Sequence, residues 1–70
     1  MAESVYKVIE LVGDSSESWE KAAAAAIATA SRSVKDLRIA EVSELDMKLE
    51  DGKVAGYRAK VKVSFKFRDE

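Results

Sequence analysis

The chain contains no cysteine, no histidine and no proline, and only three glycines in 70 residues. Without cysteine there are no disulfides and no thiolate metal sites. Without histidine the commonest general base and the commonest transition-metal ligand are both missing. A metal bound here must sit among oxygen ligands, which favours calcium or magnesium over zinc. The lack of proline suits a chain that is nearly all regular structure. Charge of either sign is not in excess: 12 Lys and Arg face 13 Asp and Glu, a net charge of −1. Such a chain is a poor non-specific partner for nucleic acid or an anionic membrane, so neither is expected as a partner. Long apolar runs are absent too. The longest, Ala22 to Ala28, is too short to span a bilayer. MAESVYKVIE does not read as a signal peptide, so the expected compartment is cytoplasmic.

What is present is organised around VAGYRAKVKVSFKFR, Val54 to Arg68. Tyr57, Ala59, Val61, Val63, Phe65 and Phe67 alternate with Arg58, Lys60, Lys62, Ser64, Lys66 and Arg68. This period of two predicts a long β-strand with one apolar and one basic face. Ser4 to Val12, SVYKVIELV, is a further strand with both faces partly apolar, ended by Gly13. Asp14-Ser15-Ser16-Glu17 reads as a helix start, capped by Asp14 or either serine. The helix is expected from Ser16 to Asp36. Trp19, Ala22, Ala23, Ala26, Ile27, Ala30, Val34 and Leu37 form its apolar stripe. Ala24, Ala25 and Ala28 lie outside that stripe. They serve either as good helix formers or as a second face against a neighbouring subunit.

Arg38 to Glu50 is another strand, and Asp51-Gly52 predicts a two-residue type I′ hairpin turn. That turn sets Glu50 opposite Lys53, Val42 opposite Val61, Ala40 opposite Val63 and Glu41 opposite Lys62. It also sets Arg38 opposite Phe65 and Asp46 opposite Tyr57. Near the turn the parity changes, and Leu45, Met47 and Leu49 fall on the face of Arg58. Either a β-bulge near Ser43 restores the alternation, or the hairpin tip buries that face elsewhere. Seventy residues make one domain, and one this small buries only about 60% of its unfolded surface. Oligomerisation is the usual remedy. Burial between subunits is the simplest destination for Leu45, Met47, Leu49 and part of the first strand.

VYKVIELVG opening the chain, SSESWEKAA at the helix start and YRAKVKVSFKF at the end together resemble the dodecin family over essentially the whole chain. The resemblance implies an α+β fold, β-α-β-β, with a three-stranded antiparallel sheet wrapped around one helix. It implies a hollow homododecamer, non-enzymatic, that binds or stores a small ligand or ion. It places Ile39, Glu44 and Arg58 at the family's flavin-site positions. Ile39, within LRIAEV, stands for the tryptophan that stacks on the isoalloxazine ring, and Arg58, within GYRAKV, for a glutamine. Ile39 has no π-face, and Arg58 offers donors only. Tight binding of riboflavin or FMN is therefore not expected, and a flavin-storing dodecin is the alternative reading.

The SWE helix start, the ELDM segment and the YR…SFK strand resemble the calcium-dodecin branch, which implies calcium as ligand. The acids available are Glu41, Glu44, Asp46, Glu50 and Asp51. Glu44 and Asp46, two apart on a strand, project from one face with Cα atoms about 7 Å apart. They would be the metal residues, with the shell completed by other copies, since calcium takes about six to eight oxygens. Alternatively they are solvated or pair with Lys60 and Arg58. Arg58 and Lys60 are also candidates for the phosphate of a nucleotide ligand. A ligand-free interaction module, meeting an acidic partner through Arg58, Lys60, Lys62, Lys66 and Arg68, is the remaining alternative. An enzyme is disfavoured, because nothing in the sequence sets a substrate beside Glu44 and Asp46.

Overall fold

The computed structural model describes residues 3–66. Phe67 and Arg68, expected to continue the last strand, lie outside the described residues. The element order is β1 (Tyr6–Ser15), α1 (Trp19–Ser33), β2 (Leu37–Glu50) and β3 (Lys53–Lys66). The strands form one antiparallel sheet in the order β1-β3-β2. The strand with the cleanest alternation is thus the central one, paired on both edges. α1 lies across β1 and β3 and scarcely reaches β2.

The core follows from side-chain size. Ala22, Ala26 and Ala30 lie four residues apart on one helix face and are buried. Ala22 and Ala26 meet Ala59, Val61 and Val63, the inward residues of β3, which are also buried. Ile9, Leu11, Ala23 and Leu37 pack around this centre, partly buried. Alanine across the contact lets helix and sheet approach closely. Gly13 marks the closest approach: a Cβ there would lie 1.9 Å from the carbonyl oxygen of Ala22. This corrects the reading of Gly13 as the end of β1. The strand runs through it to Ser15, because Gly13 pairs with Ala59 and its missing side chain admits the helix.

The helix start is also corrected. Ser18 is the N-cap, extended at φ −165° and ψ 162°, and its Oγ accepts from the Lys21 amide at 3.0 Å. Asp14 and Ser15 belong to β1. Ser15 Oγ accepts from the amides of Glu17 and Ser18 at 3.0 and 3.4 Å, which turns the chain toward the cap. Glu17 and Lys21 form an ion pair one helical turn apart. The helix ends three residues earlier than expected. Val34 is its extended C-cap and Leu37 opens β2. Asp36, at φ 64°, takes the left-handed conformation that a short polar residue tolerates.

At the hairpin, Asp51 and Gly52 have φ of 53° and 75°, the signs of a type I′ turn. Glu50 opposes Lys53, and Val42, Ala40 and Glu41 oppose Val61, Val63 and Lys62 as expected. Three register shifts intervene, between Lys48 and Leu49, between Val42 and Glu44, and between Leu37 and Ile39. The second is the bulge at Ser43. It corrects the middle of the hairpin: Asp46 opposes Arg58 and Met47 opposes Tyr57. The third puts Leu37, not Arg38, opposite Phe65. The bulge at Ser43 restores the alternation, so Leu45 and Met47 lie on the face of Ala59 and Tyr57. Their burial is not thereby complete: Leu45, Met47 and Leu49 are 52%, 46% and 62% exposed. β1 pairing ends at Ser15 opposite Tyr57, so β2 and β3 continue beyond it as a two-stranded arm.

Candidate functional site

The sheet face turned away from α1 carries the charged candidates. The register puts three bases of β3 between neighbours on both sides. Arg58 lies between Asp14 and Asp46, Lys62 between Glu10 and Glu41, and Lys60 between Val12 and Glu44. The basic row read in the sequence therefore meets acids on both edges, Glu10 and Asp14 from β1 and Glu41, Glu44 and Asp46 from β2. Three of these acids hold a base in an ion pair. Arg58 donates from Nε to Asp46 Oδ1 at 2.8 Å and from a terminal nitrogen to Oδ2 at 2.9 Å. Lys60 Nζ is 3.4 Å from Glu44, and Lys48 Nζ is 3.3 Å from Asp14.

The Lys48–Asp14 pair depends on a glycine. Lys48 is on β2 and Asp14 on β1, with β3 between them. The β3 residue opposite Lys48 is Gly56, which is buried. A Cβ on Gly56 would sit 3.3 Å from Asp14 Oδ1. The absent side chain leaves a path for the lysine to cross the central strand. No pattern in the sequence pointed to Asp14, Lys48 and Gly56 as a unit, because the link depends on the sheet order.

The fork of Arg58 sets the electrostatics. Its hydrogen bond holds the Asp46 carboxyl below the usual carboxylate range, aided by the charges of Arg58 and Lys60 against a smaller desolvation effect. The same hydrogen bond to Asp46 raises Arg58, with the charges of Asp46 and Asp14 in support. Both side chains are solvent-exposed, so the pair fixes geometry more than it adds stability.

On the opposite face, Trp19 ties the helix start to this site from below. Its indole Nε1 donates to the backbone carbonyl of Asp46 at 3.0 Å. Its ring meets Tyr57 edge to face, with centroids 5.2 Å apart at 71°. Trp19, the first residue of the helix's apolar stripe, is half-buried. The Trp19→Phe variant should lose about 1 kcal/mol through the missing hydrogen bond. Urea unfolding followed by circular dichroism measures it, and an unchanged midpoint would assign the bond no role. Beside Trp19, a groove of about 550 Å³ is lined by Ala23, Ala24, Ile27, Val42 and Leu45.

Residues 5–68 match the family model for dodecin. This chain belongs to the dodecin family. It is 51% identical to calcium dodecin of Mycobacterium tuberculosis over 65 residues, 93% of this chain and 92% of that protein. The crystal structure of that calcium-chelating antigen superposes with a TM-score of 0.83, covering 93% of each chain. Dodecin from Streptomyces coelicolor covers all of both chains at 30% identity and a TM-score of 0.91. The tt0972 protein of Thermus thermophilus covers 97% of this chain and 100% of its own at 34% identity and 0.88.

For the flavin-site positions that the resemblance implies, the placement is divided. Glu44, Asp46, Arg58 and Lys60 come together. Ile39 does not join them: it opposes Ser64, whose hydroxyl donates to its carbonyl at 3.4 Å. Ser64 lies six positions from Arg58, about 20 Å along β3. One flavin ring cannot touch both positions of a single copy. Ile39 is 67% exposed and free for a neighbour. The metal candidates are divided in another way. Glu44 and Asp46 share a face, but each is paired to a base. Among the described residues no group of three or more potential metal ligands is brought together. The described residues of one copy do not assemble a calcium shell by themselves.

Proposed function

We propose that this dodecin is a self-assembling, non-enzymatic ligand-binding protein that takes a divalent cation rather than a flavin, with its binding sites completed where copies meet. The observation that carries the reading is the pair Ile39 and Arg58, too far apart in one copy to share a ligand and lacking the ring and the amide that a flavin needs. The similarity to calcium dodecin supports the cation. Glu44 and Asp46 are the carboxylates each copy would contribute. No described helix is long and apolar enough to cross a membrane, and we place the protein in the cytoplasm. A binding role also fits the charges, since the carboxylates face bases and solvent rather than a pocket for a substrate.

Assembly is supported by apolar surface that one copy leaves uncovered. Val8, Val12, Ile39, Leu45 and Leu49 are all more than half exposed, and isolated small domains are marginal. The arm carries Leu49 beyond the reach of its own helix. Leu49→Asp should dissociate the oligomer, because a charge would be buried without a partner. Leu45→Asp should do the same from within the groove. Native mass spectrometry reads both. A retained native mass in both variants removes the hairpin from the interface.

The deciding experiment is native mass spectrometry of untagged protein with calcium and then riboflavin. A multimer, a dodecamer by the family's pattern, that retains calcium is the expected result. Flavin adducts would return the protein to the flavin-storing reading. A monomer would discard assembly.

A further inference from the structure

Three acids of the outer face each hold a base. Asp46 holds Arg58, Glu44 holds Lys60 and Asp14 holds Lys48. These six groups sum to zero charge. A divalent cation approaching them finds no net attraction, and each of these three carboxylates already has a partner.

The three pairs are not equal. Lys60 and Lys48 make single contacts at 3.4 and 3.3 Å through flexible stems. Arg58 engages both oxygens of Asp46, at 2.8 and 2.9 Å. A planar fork matched to a carboxylate is pre-organised, and it uses both the oxygens that a metal would need. Register holds it in place, since Asp46 and Arg58 are direct cross-strand partners. The Trp19 indole anchors the Asp46 backbone from the other face. Asp14 is drawn toward Lys48 across Gly56 and so leaves Arg58 to Asp46.

We infer that Arg58 is a built-in counter-cation that keeps divalent metal off Asp46, so that a cation gains this carboxylate only in exchange for the guanidinium. The inference rests on the cation reading above and names the residue that sets affinity and specificity at that face. The Arg58→Gln change would remove the competing charge, free both Asp46 oxygens and add a carbonyl oxygen as a metal ligand. Lysine would keep the charge and give up the fork.

The test is calorimetric titration of calcium chloride at low ionic strength into the assembled protein and its Arg58→Gln, Arg58→Lys and Arg58→Gln/Asp46→Asn variants. Arg58→Gln should bind calcium about tenfold tighter than the parent, by removal of one charge next to the metal. Arg58→Lys should fall between them, and the added Asp46→Asn should cancel the gain. In carboxyl NMR titrations, Asp46 should return toward the usual carboxylate range in Arg58→Gln. Equal or weaker calcium binding by a folded Arg58→Gln variant overturns the inference. If that variant does not hold its fold, absence of any gain in Arg58→Lys overturns it. In the parent, saturation with calcium should shift the Arg58 Nε–H resonance. Calcium binding that leaves this resonance in place overturns the inference and leaves the cation reading standing. Calcium uptake by Arg58→Gln alone, with none by the parent, upholds the inference and removes the cation reading.

Discussion

Gly13→Ala should cost this protein more stability than any other single methyl group. The added Cβ would lie 1.9 Å from the carbonyl oxygen of Ala22, 2.8 Å from its carbonyl carbon and 3.2 Å from the Ala26 Cβ. The first two are backbone atoms of α1, so no rotamer change relieves the contact. The helix must lift from the sheet where Ala22 and Ala26 seal against Ala59 and Val61. Overpacking a well-packed core costs about 1–3 kcal/mol, and a clash against backbone belongs at or above the upper end. For a chain of this size the whole folding free energy is only about 4–10 kcal/mol. Thermal unfolding by circular dichroism should show a large fall in Tm. Gly52→Ala is the control. Gly52 has open space around it, and alanine there carries only the cost of φ 75°, about 1 kcal/mol. Equal losses in the two variants would mean that helix and sheet do not approach as closely as the structure places them.

Gly13 also shows where sequence patterning stops. The alternation of β3, the Asp-Gly turn and the four-residue alanine spacing are local signals, and each gave its element the right type. Glycine after a β-branched run is locally a terminator. Its role as a contact point exists only once Ala22 is set above it. The same limit explains the helix cap. Asp14, Ser15 and Ser16 were the candidates, and the cap falls beyond them at Ser18 because β1 needs Asp14 and Ser15 to complete its pairing with β3. The change of parity in the hairpin was visible and pointed to Ser43, whereas the shifts near Leu37 and Lys48 had no such sign. At the candidate site, Glu44, Asp46, Arg58 and Lys60 could be gathered from the hairpin alone. Asp14 could not, because nothing in the chain order says that β1 lies beside β3 rather than β2. The basic face looked available to an acidic partner or a phosphate for the same reason: Glu10 and Asp14 come from the far edge of the sheet.

The double variant Ile39→Trp/Arg58→Gln should gain riboflavin affinity by about 10- to 100-fold over the parent, with Ile39→Trp alone giving part of the gain and Arg58→Gln alone little. A stacked ring contributes about 1–3 kcal/mol, and the glutamine amide supplies the acceptor that a guanidinium lacks. Quenching of riboflavin fluorescence on titration with protein measures both. The two positions lie about 20 Å apart along β3 of one copy, which makes the gain a test of assembly as well as of chemistry. If one ring is held by position 39 of one subunit and position 58 of another, adding Leu49→Asp to the double variant should abolish the gain together with the native mass. If the dissociated triple variant still binds flavin, one copy suffices and the separation of Ile39 from Arg58 has been misjudged. If the assembled double variant gains nothing, the shortfall of this chain as a flavin binder lies elsewhere on the sheet. The Lys60–Glu44 pair beside Arg58 would then be the next to replace, since it fills the same face with charge that a neutral ring must displace.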